Sequence, residues 1–362
     1  MVTIQTWLSE VVPTDLRGPF MALLPIFKLV GQLIGAGVSL AVVDMDEKLA
    51  YRICFGTQLP FSGILTVCAI IIPESPVWLL RRNLSESDSS ARKAMMRLHQ
   101  HDKSYNFEEV FADMKRVVQI ETCEESAEND SYLTCLRGTN LRRTIIVVFA
   151  EFIPLLFGLQ LLGSSSYFMQ QIGMVPKLSL VMQVLGVACG MIACCITFYT
   201  LSKIGRRKLM ILSLASISVL WGAIGFCGIR QDSPGAMVTA IGMLLVVVAA
   251  GVGAWPASYA VAGETSSYRV RAKTQGLGWF MYGLGTMVFG LAMPYLFNPD
   301  AADLGSYTAF LYCVLSGAAV IGAFFLVPEM KGRSAEEIDR MFVARVPTRR
   351  FLHWTNAGAS SA

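Results

Sequence analysis

The chain has 362 residues, 54% hydrophobic and only 15% charged, with a mean hydropathy of +0.53 and a formal net charge of +4. Soluble globular chains carry about 25% charged residues, so the balance argues for an integral membrane protein. It argues against a nucleic-acid binder, whose basic residues gather in one patch, and against a disulfide scaffold, because most of the nine cysteines lie in apolar runs.

In chain order, "MVTIQTWL" leads into "SEVVPTDLRG" at 9–18, where Glu10 and Arg17 stand seven apart. Two apolar runs follow, 20–43 and 53–73, each near the roughly 20 residues that cross a bilayer. Gly31, Gly35 and Gly37 in the first predict close helix packing. The second run stops at "PESPVWLL", with Glu74 in the corner. Residues 76–143 hold no spanning run and balance eleven basic against eleven acidic residues, so they form no polybasic lipid patch. Within them Phe107, Val110, Phe111, Met114, Val117 and Val118 carry helical spacing, which predicts an amphipathic helix.

Six further runs qualify as spans: 145–168, 178–200, 209–229, 236–262, 275–297 and 307–327. Glu151 is the acidic residue that falls well inside one of them, which marks it as a candidate proton site. The plainer expectation is that it pairs with Arg142 or Arg143, two turns away. The motifs "GRRKL" (205–209), "GETSSYRVRAKT" (263–274) and "PEMKGRSAEEID" (328–339) sit between and after these runs. With the long loop set aside, fourteen basic residues fall on one side and four on the other, which predicts a cytosolic C-terminus.

The chain repeats itself. Glu264 and Arg271 are seven apart, like Glu10 and Arg17, and Glu10 to Glu74 spans 64 residues where Glu264 to Glu329 spans 65. Each interval holds two spans and closes on a Pro-Glu pair. Parallel repeats of this kind build secondary transporters, with the substrate between the halves. The predicted fold is an all-α membrane protein of two helical bundles. Its parts are a truncated N-terminal bundle (1–75), a cytosolic loop (76–143), a six-helix bundle (144–330) and a cytosolic tail (331–362). By this symmetry the first copy is expected to lack about 110 residues, three spans and most of a fourth.

These motifs resemble the sugar porter family of the major facilitator superfamily, in particular fungal hexose and α-glucoside permeases. The resemblance implies transport of a hexose or an α-glucoside such as maltose by alternating access, coupled to protons, in the plasma membrane. The partners are then sugar, proton and lipid bilayer, with no cofactor, metal or enzymatic activity. It implies a gating network at the membrane edge: Glu10, Arg17 and Glu74 in the first half, and Arg206, Arg207, Glu264, Arg271 and Glu329 in the second. Two family positions depart, with Ser202 for an aspartate and Val77 for an arginine, and both are expected to loosen the network. The implied substrate residues are Gln160, Trp255, Tyr259, Trp279 and Tyr282. A non-transporting fragment and a sugar sensor on the same scaffold are the alternatives.

Overall fold

In lipid every backbone polar group must be satisfied within the chain, so apolar runs of this length fold as helices. The computed structural model describes residues 2–12, 20–82, 87–99, 107–108, 110–112, 114–116, 118, 132–228, 233–266, 270–298, 302, 304–333 and 335–354. Among the described residues the segments are helical or irregular, with no strand. Seven helical stretches among the described residues are long and apolar enough to cross a membrane: 24–42, 47–71, 176–201, 206–227, 235–265, 271–297 and 305–326.

The first half contains α1 (Val2–Val11), α2 (Leu24–Val42), α3 (Glu47–Gly56) and α4 (Gln58–Ile71). α4 ends at the Pro-Glu corner, where Ser75 caps α5 (Pro76–Arg81) through its side-chain oxygen. No residue of α3 or α4 is buried, so their apolar side chains are free to face lipid. Gly31, Gly35 and Gly37 do not serve the expected packing, because nothing lies within 4 Å of where a Cβ would sit. Close approach occurs elsewhere: a Cβ on Gly251 would stand 2.9 Å from the Gly190 carbonyl oxygen.

Residues 76–143 supply α6 (Ser87–His99) and helical residues between 107 and 118. Phe111, Met114 and Val118 pack with Leu80 and Ala91, as the amphipathic spacing predicts, while Val117 lies outside the described residues. Val77 joins the same small core. A valine at this position therefore contributes packing where an arginine would contribute charge.

The second half differs most from expectation in its first span. The run at 145–168 is three helices: α7 (Gly138–Leu156), α8 (Leu159–Gly163) and α9 (Ser165–Gln171). Pro154 weakens the last turn of α7. Gly158 then adopts φ +95, a left-handed conformation that breaks the helix. A Cβ there would lie 3.0 Å from Trp221 and 3.1 Å from Tyr312, two fully buried rings.

The bundle continues through α10 (Pro176–Ile204), α11 (Arg206–Cys227) and α12 (Ser233–Ala249). One π-helical turn at Ala250–Ala254 joins α12 to α13 (Trp255–Thr265). Such turns leave backbone groups without regular partners. Here Thr197 Oγ1 donates to the Gly251 carbonyl at 2.6 Å, Ser213 Oγ donates to that of Ala249 at 2.6 Å, and Ser213 Oγ accepts from Ala254 N–H at 2.9 Å. α14 (Arg271–Phe297) and α15 (Thr308–Leu326) complete the bundle. The halves meet where α2 packs on α10 and α1 on α14.

The tail is docked. Arg143 donates to Asp339 at 2.6 Å on α16 (Ala335–Val343), and Arg142 donates to the Val346 carbonyl at 2.7 Å and to Thr348 at 2.9 Å. Neither arginine therefore pairs with Glu151, contrary to the plainer expectation.

Gly158→Ala is expected to cost about 2 kcal/mol and to lower the thermal midpoint of the purified chain. Gly163→Ala, with open space around its Cβ position, is expected to leave the midpoint unchanged.

Candidate functional site

The charged motifs gather at one end of the bundle, which we call the motif end. Gly205 has φ +97 and leads into α11. Glu329 is tucked against this turn and accepts the backbone N–H groups of Arg206 at 3.0 Å and Arg207 at 3.2 Å. A carboxylate on exposed N–H groups at a helix start satisfies orphan donors and complements the helix dipole. A Cβ on residue 205 would sit 2.6 Å from the carboxylate, so glycine is required twice over.

The Arg206 guanidinium donates to Glu264 at 2.8 Å, with side chains only 12% and 11% exposed. Arg207 donates to the Phe324 carbonyl at 2.7 Å, and Arg271 is buried at the start of α14. In the first half Ser75 Oγ donates to Glu10 at 2.5 Å and Trp7 Nε1 donates to the Pro73 carbonyl at 3.1 Å. Glu74 is exposed. Arg17 lies outside the described residues, as does the Ser202 side chain. The structure thus brings Arg206 with Glu264, and Glu329 with the start of α11, inside the second half.

One to two turns inward from this end lies a second cluster, between the halves. Tyr259 on α13 and Trp279 on α14 stack at 5.9 Å between centroids with planes 12° apart. Trp279 meets Tyr282 edge-on at 5.2 Å. Together they form an aromatic box. Lys28, reaching in from α2, places its ammonium 5.1, 4.9 and 5.3 Å from the ring centroids of Tyr259, Trp279 and Tyr282. It donates to the Tyr259 hydroxyl at 2.6 Å.

Glu151 on α7 is fully buried beside the box. Gln5 on α1 donates to its Oε1 at 3.0 Å and accepts a hydrogen bond from Trp279 Nε1. Gln5 therefore ties the carboxylate to the box, and the amide is fixed in one orientation by needing a donor on one side and an acceptor on the other. The second carboxylate oxygen, Oε2, has no hydrogen-bond partner among the described residues.

Tyr259, Trp279, Tyr282 and Glu151, all expected from the sequence, are thus assembled in one place. Trp255 lies one helical turn from Tyr259 toward the membrane interior and meets Phe157 edge-on at 6.2 Å. With Leu29, Gln32 and Gln183 it lines a cavity of about 30 Å³, room for a water. Gln160 stands apart on α8, against Gly290. Gln5 and Lys28 are the two residues that sequence reasoning leaves unmarked. Lys28 carried a signal, a lysine inside an apolar run, whereas Gln5 sits in an unremarkable stretch.

Two repeated helical bundles meeting across a polar, aromatic-lined interface define a transporter fold of the major facilitator type. Residues 1–342 match the family described as "Sugar (and other) transporter", and the chain belongs to that family. It is 28% identical over 355 residues to "MFS transporter fmqE" of Aspergillus fumigatus, covering 96% of this chain and 64% of that protein. It is 26% identical over 353 residues to the "General alpha-glucoside permease" of Saccharomyces cerevisiae, covering 96% and 56%. The fold matches the proton:xylose symporter XylE bound to 6-bromo-6-deoxy-D-glucose with a TM-score of 0.77 at 17% identity, covering 93% of this chain and 70% of that one. The chain spans under two thirds of the length of these two sequence relatives.

Removing one partner of a buried ion pair strands the other charge and costs about 3 kcal/mol. Arg206→Ala is expected to lower the thermal midpoint by that measure. Arg206→Lys, which keeps a cation beside Glu264, is expected to recover part of the loss.

Proposed function

We propose that this chain forms the substrate pathway of a sugar permease that moves a hexose or an α-glucoside by alternating access, coupled to protons, in the plasma membrane. The two halves, 1–75 and 144–330, rock against each other, and the motif end faces the cytosol. The single observation that carries the reading is the aromatic box at the half–half interface. A pyranose offers a flat C–H face for a ring and hydroxyls for polar groups at its rim. Tyr259, Trp279 and Tyr282 supply the faces, and Glu151 and Gln5 supply polar atoms beside them.

Trp255 extends this surface one turn further in, and Gln160 is proposed as a hydroxyl partner from α8. The Arg206–Glu264 pair and the Glu329 corner are proposed, with Glu10, Arg17, Glu74, Arg207 and Arg271, to hold one of the two end states. Charges clustered on both halves at one membrane face are suited to that task. Support for the substrate class comes from the relatives, one named an α-glucoside permease and one a proton:xylose symporter. Glu151, buried with one oxygen lacking a hydrogen-bond partner among the described residues, is proposed as the proton site.

The test is uptake of radiolabelled glucose and maltose by transporter-null yeast expressing the chain, with surface amounts matched. Uptake that an uncoupler abolishes is the expected result, and Trp279→Ala is expected to reduce it at least tenfold. Sugar binding without uptake, in correctly targeted protein, would favour the sensor or non-transporting reading. Unchanged uptake by Trp279→Ala would remove the box from the sugar path.

A further inference from the structure

The aromatic box is not empty. Its ring faces, the surface a sugar would use, are covered by Lys28 from the opposite half. Its rim is tied to the same half a second time, by Gln5 between Glu151 and Trp279. Both contacts join side chains across the interface, and both lie between the motif end and the small cavity at Trp255. A cation inserted there joins the two halves at that level.

Charge decides whether the closure holds. Among the described residues, the charged group acting on Glu151 is Lys28 from α2, and the titratable groups that feel Glu151 in turn are the neutral hydroxyls of Tyr259 from α13 and Tyr282 from α14. α15, which also packs on α7, carries no charged residue. On α1 the nearest acid in sequence, Glu10, is engaged by Ser75. Lys28 and Glu151 therefore compensate each other where little else does. A proton arriving on Oε2, which has no hydrogen-bond partner among the described residues, cancels the carboxylate charge and removes the counter-charge that Lys28 has among them. A cation so placed moves toward water.

We propose that Lys28 is the coupling residue of this chain: its ammonium latches the two halves shut by filling the aromatic box, and protonation of Glu151 releases it. The proton comes from water on the side open to Glu151 and resides on Oε2. Lys28 keeps its own proton throughout, so each cycle carries one proton on the carboxylate and none on the amine. Release uncovers the rings and breaks the cross-half contact together, which links proton, substrate face and gate in one event. The proposal rests on the transport reading for the direction of traffic only, because the latch itself is measurable in a chain that moves nothing.

The experiment is ¹⁹F NMR of the full chain in lipid nanodiscs, with its six tryptophans labelled as 5-fluorotryptophan and Trp279 assigned by Trp279→Phe. In the wild type the Trp279 resonance is expected to move between two positions from pH 8 to pH 5. Glu151→Gln is expected to hold the acid position already at pH 8. Lys28→Met, and Lys28→Met with Glu151→Gln, are expected to lack the wild-type step, each with a position of its own because the ammonium 4.9 Å from the ring is gone, and Lys28→Arg is expected to titrate like the wild type. The other five resonances report whether each variant is folded, and should Glu151→Gln fail that check, the Lys28→Met titration decides alone. A Lys28→Met chain that titrates like the wild type overturns the proposal, as does Glu151→Gln with the wild-type spectrum at pH 8. Failed sugar uptake with the expected NMR pattern would sink the permease reading and leave the latch standing. Uncoupler-sensitive uptake by Lys28→Met would do the reverse.

Discussion

The structure turns on one charge held between two bundles. A lysine in the hydrocarbon region of a helix costs about 3 kcal/mol on insertion scales. Against that, a hydrogen bond to a charged group contributes about 2 kcal/mol, and a desolvated cation over an aromatic face contributes up to about 2 kcal/mol. Lys28 has one such hydrogen bond, to Tyr259, and three rings around it. The opposing quantities are of similar size, so the charge of Glu151 weighs in the balance. An arrangement balanced this closely suits an element with two positions better than a fixed strut.

The second bundle is built to hold its share of the box still. The break at Gly158 lets the chain turn between α7 and α8 over the stacked pair Trp221 and Tyr312, 5.3 Å apart. Trp221 Nε1 donates to the Phe157 carbonyl at 3.0 Å, which ties down the same corner. On the other side, the π-turn at 250–254 shifts the register of α13 relative to α12, and Thr197 and Ser213 satisfy the carbonyls it frees. Trp255 and Tyr259 follow directly and stand on one face, four residues apart. Two irregularities, each repaired by its own hydrogen bonds, thus aim the aromatic side chains at the interface.

Much of this was legible in the residues, and the gaps have physical causes. Span positions follow from apolar length, and the paired bundles follow from Glu10 and Glu264 recurring at matched distances from the Pro-Glu corners. Glu151 announces itself by depth alone. Its partner does not, because Arg142 and Arg143 are near in sequence whereas Gln5 is 146 residues away. Lys28 shows the same difficulty, since its ligands come from α13 and α14 and no spacing links them to "IFKLVG". The broken span at 145–168 had both signals, Pro154 and Gly158, but hydropathy averages over them. The π-turn leaves no pattern at all, being an outcome of how α10 and α11 crowd it.

The two kinds of polar contact in the molecule differ in what anchors them. At the motif end Glu329 holds backbone N–H groups, and deep in the second bundle Thr197 and Ser213 hold backbone carbonyls. Such contacts brace helices within one half, and breaking them would leave backbone groups without partners. Across the halves the contacts are side chain to side chain: Lys28 with Tyr259, Gln5 with Glu151 and Trp279, and Lys177 with Asp44 at 2.6 Å. A flexible lysine or glutamine that lets go leaves no backbone group unsatisfied and can turn to water. Rigid bundles joined by releasable side chains are the division of labour that rocking motion demands. Side-chain pairs such as Arg206 with Glu264 and Ser75 with Glu10 add to the main-chain contacts within a half, whereas the cross-half contacts named here end on side chains alone.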